Sequence, residues 1–354
     1  MKLKILGINN YIVLEGTLIL NVLKKLTEKA REYPFLIVVN KKKKLLGTIT
    51  DGDIRRSLIA GKSLKGKVDD FMQKTPIKAY DNNSDNFETL LSRIDTYFPF
   101  LPVLNKNDNL VKIVINDVDE KIPLNVLIMA GGYGKRLGDK TKNKPKPLVN
   151  VRGKPLLEHI FKNIEKIKVQ NIFISVHHLK EQIHDFLTKT KRKNKVKVLT
   201  ERRPLGTAGS LKLLPNIKKS NILVVNGDIL TTLDFEALIN FHSKNNSDAT
   251  IAVANHLVEI PYGVIRHDIK GNFLNLEEKP NINNYVSAGI YCLSNKILKL
   301  LDVREYIDMP ELLNRGKKKG MNIMIFPIHE NWTDIGRPKD LIEARKNKYP
   351  INSK

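Results

Sequence analysis

Two kinds of hydrophobic pattern divide the chain. In the first 120 residues, apolar positions recur at helical spacing from Leu18 to Leu26 and from Phe87 to Ile94, and each stretch leads into a short continuous apolar run. Such runs are what buried strands need. They are also copies of one another: Phe35-Leu-Ile-Val-Val-Asn40 matches Phe100-Leu-Pro-Val-Leu-Asn105 at an offset of 65, and a polar turn and a second apolar strand come after each. Neither unit is large enough to fold alone, so the repeat predicts a pseudo-symmetric α+β pair with a shared core. Between Val118 and Pro123 the repeat ends, which places two domains at 1–120 and 121–354.

From Asn125 the pattern alternates. The runs NVLIMA, NIFISV, KVKVL, NILVVN and ATIAVA read as strands. Between them lie a helical stripe from Leu156 to Ile167 and helices around Glu181–Leu187, after Thr207 and from Asp234. This order predicts an α/β domain with a Rossmann-like, mixed but mostly parallel sheet. Ligands of such sheets sit at the carboxyl ends of the strands, where the glycine loop at 131, Asp228 and the loop at 261 fall. Toward the C-terminus the pattern becomes mixed, with a hairpin turn expected at Lys270-Gly271. The chain has no hexapeptide repeat after this domain, so an appended β-helix is not expected.

Composition narrows the class without naming it. With 41% hydrophobic and 28% charged residues among 354, a disordered or collagenous chain is excluded. The longest apolar run of interest, Val126 to Ala130, is far short of a membrane span. The N-terminal stretch is a poor signal peptide, broken by Asn9-Asn10. The single cysteine, Cys292, excludes an intrachain disulfide and reads as buried packing, so a soluble, cytoplasmic protein is expected. The net charge of +24 suits a partner that is a polyanion. Yet the lysine clusters at 41–44, 191–197 and 317–319 carry no interleaved aromatics, and no zinc-finger or RNA-binding spacing occurs. Neither nucleic acid nor membrane is an expected partner.

Candidate chemistry begins at Gly131-Gly132-Tyr133-Gly134-Lys135-Arg136-Leu137, directly after a predicted strand. Glycines there let backbone N–H groups approach phosphate oxygens while the neighbouring cations neutralise them. The loop is neither a dinucleotide fingerprint, which needs glycine at Leu137, nor a P-loop, which needs Ser or Thr at Arg136. It continues into Lys144-Pro-Lys146-Pro-Leu148. Together these segments resemble the signature of the sugar-1-phosphate nucleotidyltransferases. The resemblance extends through Pro204-Leu-Gly206-Thr207-Ala-Gly209, Asn226-Gly-Asp228, Pro261-Tyr-Gly263, Glu277-Glu278-Lys279-Pro280, Ser287-Ala-Gly289 and Trp332-Thr-Asp334-Ile-Gly336.

That resemblance implies a set of roles. Arg136 would bind the phosphates that leave as pyrophosphate, and Lys146 would stabilise the transition-state charge on the α-phosphate. Gly131, Gly132, Gly134, Gly206 and Thr207 would approach the nucleotide. Lys279 would grip the phosphate of the sugar, Glu278 would accept from its hydroxyls, and Gly263 and Gly289 would let the main chain come close. Asp228 and Asp334 would hold Mg²⁺, a hard cation that takes few carboxylates and shares its other positions with phosphate oxygens. Considered singly, Asp228 also reads as a strand-end turn residue and Asp334 as a helix cap near Pro338. A phosphate monoester has a second pKa of about 6, so its nucleophilic oxygen needs no general base. His177-His178 lacks a third ligand at suitable spacing and is not expected to bind metal.

The first copy of the N-terminal repeat ends Gly47-Thr48-Ile49-Thr50-Asp51-Gly52-Asp53, which resembles a cystathionine-β-synthase (CBS) domain. The resemblance implies a CBS pair that binds AMP or ATP, with Thr50 and Asp53 on the ribose. In the second copy these become Ile115 and Val118, which cannot bond hydroxyls, so one site is expected. A dimerisation role without ligand is the alternative, and a homo-oligomer is expected either way. A CBS pair ahead of the catalytic domain resembles bacterial enzymes of surface-glycan pathways. It implies GTP and glucosamine 1-phosphate as substrates and GDP-glucosamine for legionaminic acid as product. Mannose 1-phosphate with GTP and glucose 1-phosphate with UTP are the alternatives, and a non-catalytic adenylate sensor is the alternative of another class.

Overall fold

The computed structural model describes residues 3–28, 33–81, 86–94, 99–116, 123–215, 217, 220–302 and 305–346. Val118 and most of the expected boundary at 118–123 lie outside the described residues. The chain forms two compact units, one built on residues 1–121 and the other on 122–242 and 246–354. No helix among the described residues is long and apolar enough to cross a membrane.

The repeat is visible in the first unit down to its turns. Strand Phe35–Val39 pairs in parallel with Ile12–Leu14 and antiparallel with Leu45–Thr50. Strand Phe100–Leu104 repeats this with Ala79–Tyr80 and Leu110–Asn116, and Leu3–Leu6 extends that sheet. The register shifts at Val38/Val39 in one hairpin and at Val103/Leu104 in the other. Each hairpin turn is closed by the same side chain: Asn40 Oδ1 accepts from Lys42 and Lys44, and Asn105 Oδ1 from Asn107 and Asn109. The lysine cluster at 41–44 is therefore a hairpin turn. Helices Ile19–Glu28 and Phe87–Ser92 occupy the two predicted positions. The copies meet where their first strand residues stack, Phe35 on Phe100, with ring centroids 3.9 Å apart and 3° between planes.

The second unit is a seven-stranded sheet. Its order is Val196–Thr200, Asn171–Val176, Leu124–Met129, Asn221–Asn226, Asn281–Ser294, Ala249–Glu259 and Ile323–Pro327. The first four strands are parallel; Asn281–Ser294 runs antiparallel to both neighbours, and the edge strand is parallel to Ala249–Glu259. The central runs are mostly apolar because helices cover them, with Asn125 and Ser175 as buried polar exceptions. Helices Leu156–Ile164 and Phe235–Lys244 pack Leu157, Ile160, Phe161, Leu238 and Phe241 into one core with Val126, Ile174, Leu223 and Ile290. The expected helix after Thr207 is only Gly206–Gly209, continued as a 3₁₀ turn over Ser210–Leu213. Strands Ala249–Glu259 and Asn281–Ser294 run on past the body of the sheet as a pair. A hairpin of Val264–His267 and Phe273–Glu277 joins their ends, turning at Gly271 as expected.

Two measurements test this packing. Phe35→Ala or Phe100→Ala removes half of the stack and leaves a cavity, for an expected cost of about 3–5 kcal/mol. Chemical denaturation followed by far-ultraviolet ellipticity should show the transition at lower urea in either variant. His242 is buried, its Nδ1 2.9 Å from Thr250 Oγ1, and burial pushes its pKa down to about 4. The folded state thus holds this ring neutral while the unfolded chain protonates it below about 6.5. Stability is complete above that pH and falls as pH drops toward about 4. The urea midpoint reported by Trp332 fluorescence should be lower at pH 5 than at pH 7, and His242→Gln should flatten the difference.

Candidate active site

Four parallel strands end together, and the residues immediately beyond three of them build one cavity of about 270 Å³. After Leu124–Met129 come Ala130, Gly131, Gly132 and Tyr133; after Val196–Thr200 comes Glu201; after Asn221–Asn226 come Gly227 and Asp228. Lys146, Pro147, Pro204, Gly206, Thr207, Tyr306 and Asp308, with Met129 and Asn226 at the strand ends themselves, complete the lining. Gly227 is tied to the first strand by its N–H, which donates to Met129 O at 2.8 Å.

One end of the cavity is ionic. The Lys146 ammonium contacts Asp228 Oδ2 directly and lies 3.9 Å from Asp334 Oδ1. Asp228 and Asp334 are neighbours because Ile229–Thr231 pairs antiparallel with Trp332–Asp334, and Ile335 N donates to Asp228 O at 3.1 Å. Asp334 Oδ1 is buried and accepts no hydrogen bond. Burial and the adjacent Asp228 carboxylate push the Asp334 pKa up, against the opposing charges of Lys146 and Arg136. A buried carboxylate oxygen without a donor, beside a second carboxylate, fits a divalent cation that completes its shell with phosphate oxygens. Among the described residues no group of three or more His, Cys, Asp or Glu is placed to hold a metal. Any such ion therefore depends on ligands beyond these two.

The other end is held by backbone. Ile307 N donates to Leu205 O, and Ala208 N and Gly209 N both donate to Ile307 O. Asp308 precedes helix Met309–Lys318 but does not cap it with its side chain. Its Oδ1 accepts instead from Thr207 N at 2.9 Å and Thr207 Oγ1 at 3.1 Å, and its Oδ2 from Tyr306 OH at 3.2 Å. Thr207 Oγ1 also accepts from Met309 N at 2.8 Å. A side chain at Gly206 would meet Ile307 O at 2.4 Å, so this approach requires glycine. Glu201 is buried with Oε2 accepting from Leu205 N at 3.1 Å; burial raises its pKa. A Cβ on Gly131 would come within 2.8 Å of Glu201 Oε1.

The predicted residues fall into three groups. Gly131, Gly132, Lys146, Gly206, Thr207 and Asp228 line the cavity, and Asp334 stands behind Lys146. Gly134 (φ 65°) shapes the loop against Thr141 and Lys146, and Gly289 (φ 68°) backs Asn226 on the cavity wall. Arg136 is exposed in the 3₁₀ turn Lys135–Leu137, close enough for its charge to act on Asp334. Gly263, Glu278 and Lys279 sit on the exposed hairpin instead, where Gly263 faces Glu278 Oε2 and Lys279 has a left-handed backbone (φ 45°). None of these three lines the cavity, because the 261 loop lies beyond the extended end of strand Ala249–Glu259 rather than at a strand of the parallel group. Asp308 and Tyr306 are not legible in the sequence as site residues. The only signal is Asp308-Met-Pro, which reads as an ordinary helix start.

In the first unit, Thr50 and Asp53 form a capping box on helix Asp51–Ile59: Asp53 Oδ2 accepts from Thr50 N and Oγ1 at 2.8 and 2.6 Å. A wider, open hollow between Lys62 and Thr75 includes neither residue. At the cavity mouth His177 Nδ1 donates to Glu201 O at 3.0 Å, and its Nε2 pairs with Tyr133 OH at 3.2 Å.

Family models match part of each unit. The CBS domain model matches residues 8–60. A mannose-1-phosphate guanyltransferase of Yarrowia lipolytica is 34% identical over 230 residues, 62% of this chain and 62% of that one. The bifunctional protein GlmU of Methanocaldococcus jannaschii is 32% identical over 242 residues, 65% of this chain and 55% of its own length. The chain thus spans about six tenths of the curated relatives it matches. The crystal structure of HddC from Yersinia pseudotuberculosis aligns with a TM-score of 0.50 and 29% identity, over 63% of this chain and 98% of that one. The nucleotidyl transferase model matches residues 125–349, well over half the length. The chain belongs to the nucleotidyl transferase family.

Proposed function

We propose that the second unit is a sugar-1-phosphate nucleotidyltransferase that joins a guanylyl group to a sugar 1-phosphate and releases pyrophosphate. The observation that carries the reading is one cavity with a lysine between two carboxylates at one end and a buried glutamate at the other. The similarity to a mannose-1-phosphate guanyltransferase agrees with it.

In this reading the triphosphate lies along the glycine loop, with backbone N–H groups of Gly131 and Gly132 toward its oxygens and Arg136 on the departing phosphates. Lys146 places its charge on the α-phosphate, where negative charge grows during transfer. Asp228 and Asp334 would hold Mg²⁺, which would supply neutralisation of the phosphate charge. The sugar phosphate supplies its own anionic oxygen as nucleophile, so the residues position and neutralise rather than move protons. Lys279 and Glu278 on the hairpin receive the phosphate and hydroxyls of the sugar. Guanine presents N1–H and N2–H₂ side by side, which one carboxylate accepts together. Uracil presents a single N–H between two carbonyl oxygens that repel a carboxylate. Glu201 at the base end therefore favours GTP. Glucosamine 1-phosphate is the first sugar to assign, since a carboxylate such as Glu278 suits its amine, and mannose 1-phosphate the second. The first unit is read as a CBS pair with a single adenylate site at Thr50 and Asp53.

Pyrophosphate release with Mg²⁺ and GTP, crossed with the 1-phosphates of glucosamine, mannose and glucose, should show turnover with one sugar. Asp228→Asn and Lys146→Ala should each lower kcat by about 10²–10³-fold, the usual effect of losing a clamp on transition-state charge. Normal turnover in either variant would refute the site. Glu201→Gln should raise the KM for GTP by roughly tenfold and narrow the preference over UTP, with a smaller change in kcat. An unchanged GTP/UTP ratio would remove Glu201 from base selection.

A further inference from the structure

We propose that Lys146 is an internal counter-cation that keeps a divalent metal off the Asp228–Asp334 pair until a nucleotide arrives, so that metal and nucleotide bind as one event. The inference rests on the assignment of that pair as the metal site. It adds a role for Lys146 before the chemistry begins.

Three observations carry it. The ammonium touches Asp228 Oδ2 and stands 3.9 Å from Asp334 Oδ1, which puts a positive charge in the space where a cation bridging the two carboxylates belongs. The cation is also confined. Lys146 is buried, its backbone lies in the turn Lys146–Leu148 between Pro145 and Pro147, and its Cβ is packed against Gly134. Only the far end of the side chain has room to change partner. Finally, Lys146 lines the same cavity as the glycine loop, so a phosphate placed there is within the reach of that end. The other charges acting on Asp334 are Arg136 and Asp340, which oppose each other.

The energetics come from burial. A metal ion arriving alone would have to evict the ammonium and leave it buried without a counter-ion, a costly state. Alternatively it would bind beside the ammonium, where two carboxylates and one lysine offer a single net negative charge. A nucleotide removes the obstacle by giving Lys146 an anionic oxygen in exchange for the carboxylate. Each buried charge then keeps a partner throughout. Because affinities are linked, nucleotide must raise metal affinity by the factor by which metal raises nucleotide affinity.

The test is binding of Mn²⁺ alone to the full chain, read as loss of the free-ion paramagnetic resonance signal. Wild type should bind weakly. Lys146→Met should bind about tenfold or more tightly, since a unit charge is removed from beside the site. Lys146→Gln keeps a donor for Asp228 and so protects the fold if the methionine variant fails; it should gain in the same direction. Adding Asp228→Asn to either should abolish the gain. With a non-hydrolysable GTP analogue, wild-type affinity should rise by more than that of Lys146→Met. If both lysine variants bind Mn²⁺ no better than wild type while Asp228→Asn still weakens binding with the analogue, the gate is refuted and the metal site stands. If Asp228→Asn changes Mn²⁺ binding under neither condition, the metal-site reading fails and the gate with it.

Discussion

A buried ammonium between two carboxylates sets the terms for the second unit. Lys146, Asp228 and Asp334 come from three distant parts of the chain, and each is delivered by a different device: a proline-flanked turn, the end of a parallel strand, and a two-stranded patch that returns the C-terminal segment to that strand end. Lys146 is the buried member, and an unpaired charge at its depth costs several kcal/mol, whereas the two carboxylates keep part of their contact with solvent. The cluster is therefore both the product of the fold and a condition on it. It explains why Ile229–Thr231 pairs with Trp332–Asp334, a sheet too small to stand by itself. The apolar patch of Val149, Val151, Leu156, Leu230, Ile335 and Leu341 supplies the remaining support.

How much of this is legible in the sequence depends on distance along the chain. The repeat at offset 65 is readable because each copy carries its own strands and turn. The structure extends the match to the register shifts and to Asn40 and Asn105, which close both turns alike. The strand–helix alternation after Asn125 is readable for the same reason: period and burial are local properties. What resists is contact between segments. Asp308 looks like a helix cap in sequence, and only the approach of Gly206 to Ile307 turns its carboxylate toward Thr207. The helix at 206–209 is shorter than its sequence suggests: the segment passes into a 3₁₀ turn at Ser210, and its free first-turn N–H groups at Ala208 and Gly209 find Ile307 O, a partner far along the chain. The 261 loop belongs at the ligand edge if its strand ends with the sheet, and that strand overruns the sheet instead.

The net charge of +24 is a poor guide to where the chemistry lies. The cavity is lined by three carboxylates, those of Glu201, Asp228 and Asp308, with a fourth, Asp334, behind Lys146. Their placement resolves the contradiction. Asp228 and Asp334 face a lysine, Asp308 is spent on Thr207 and Tyr306, and Glu201 is turned toward Leu205 and Gly131. The cations of the glycine loop, Lys135 and Arg136, are exposed at the rim. A polyanion approaching from solvent meets the rim first, and the field there attracts it.

The two ends of the cavity are consequently built in different materials. At the 205–209 and 305–309 segments, backbone groups of each bond directly to the other, and glycine is required where they touch. Such a wall has few soft degrees of freedom, which suits the base selection proposed for this end. At the Lys146 end the groups are side chains with alternative partners, which suits a step in which charge must be redistributed as ligands enter. Rigid backbone where shape is read and adjustable side chains where charge is exchanged both arise from the same parallel-strand edge.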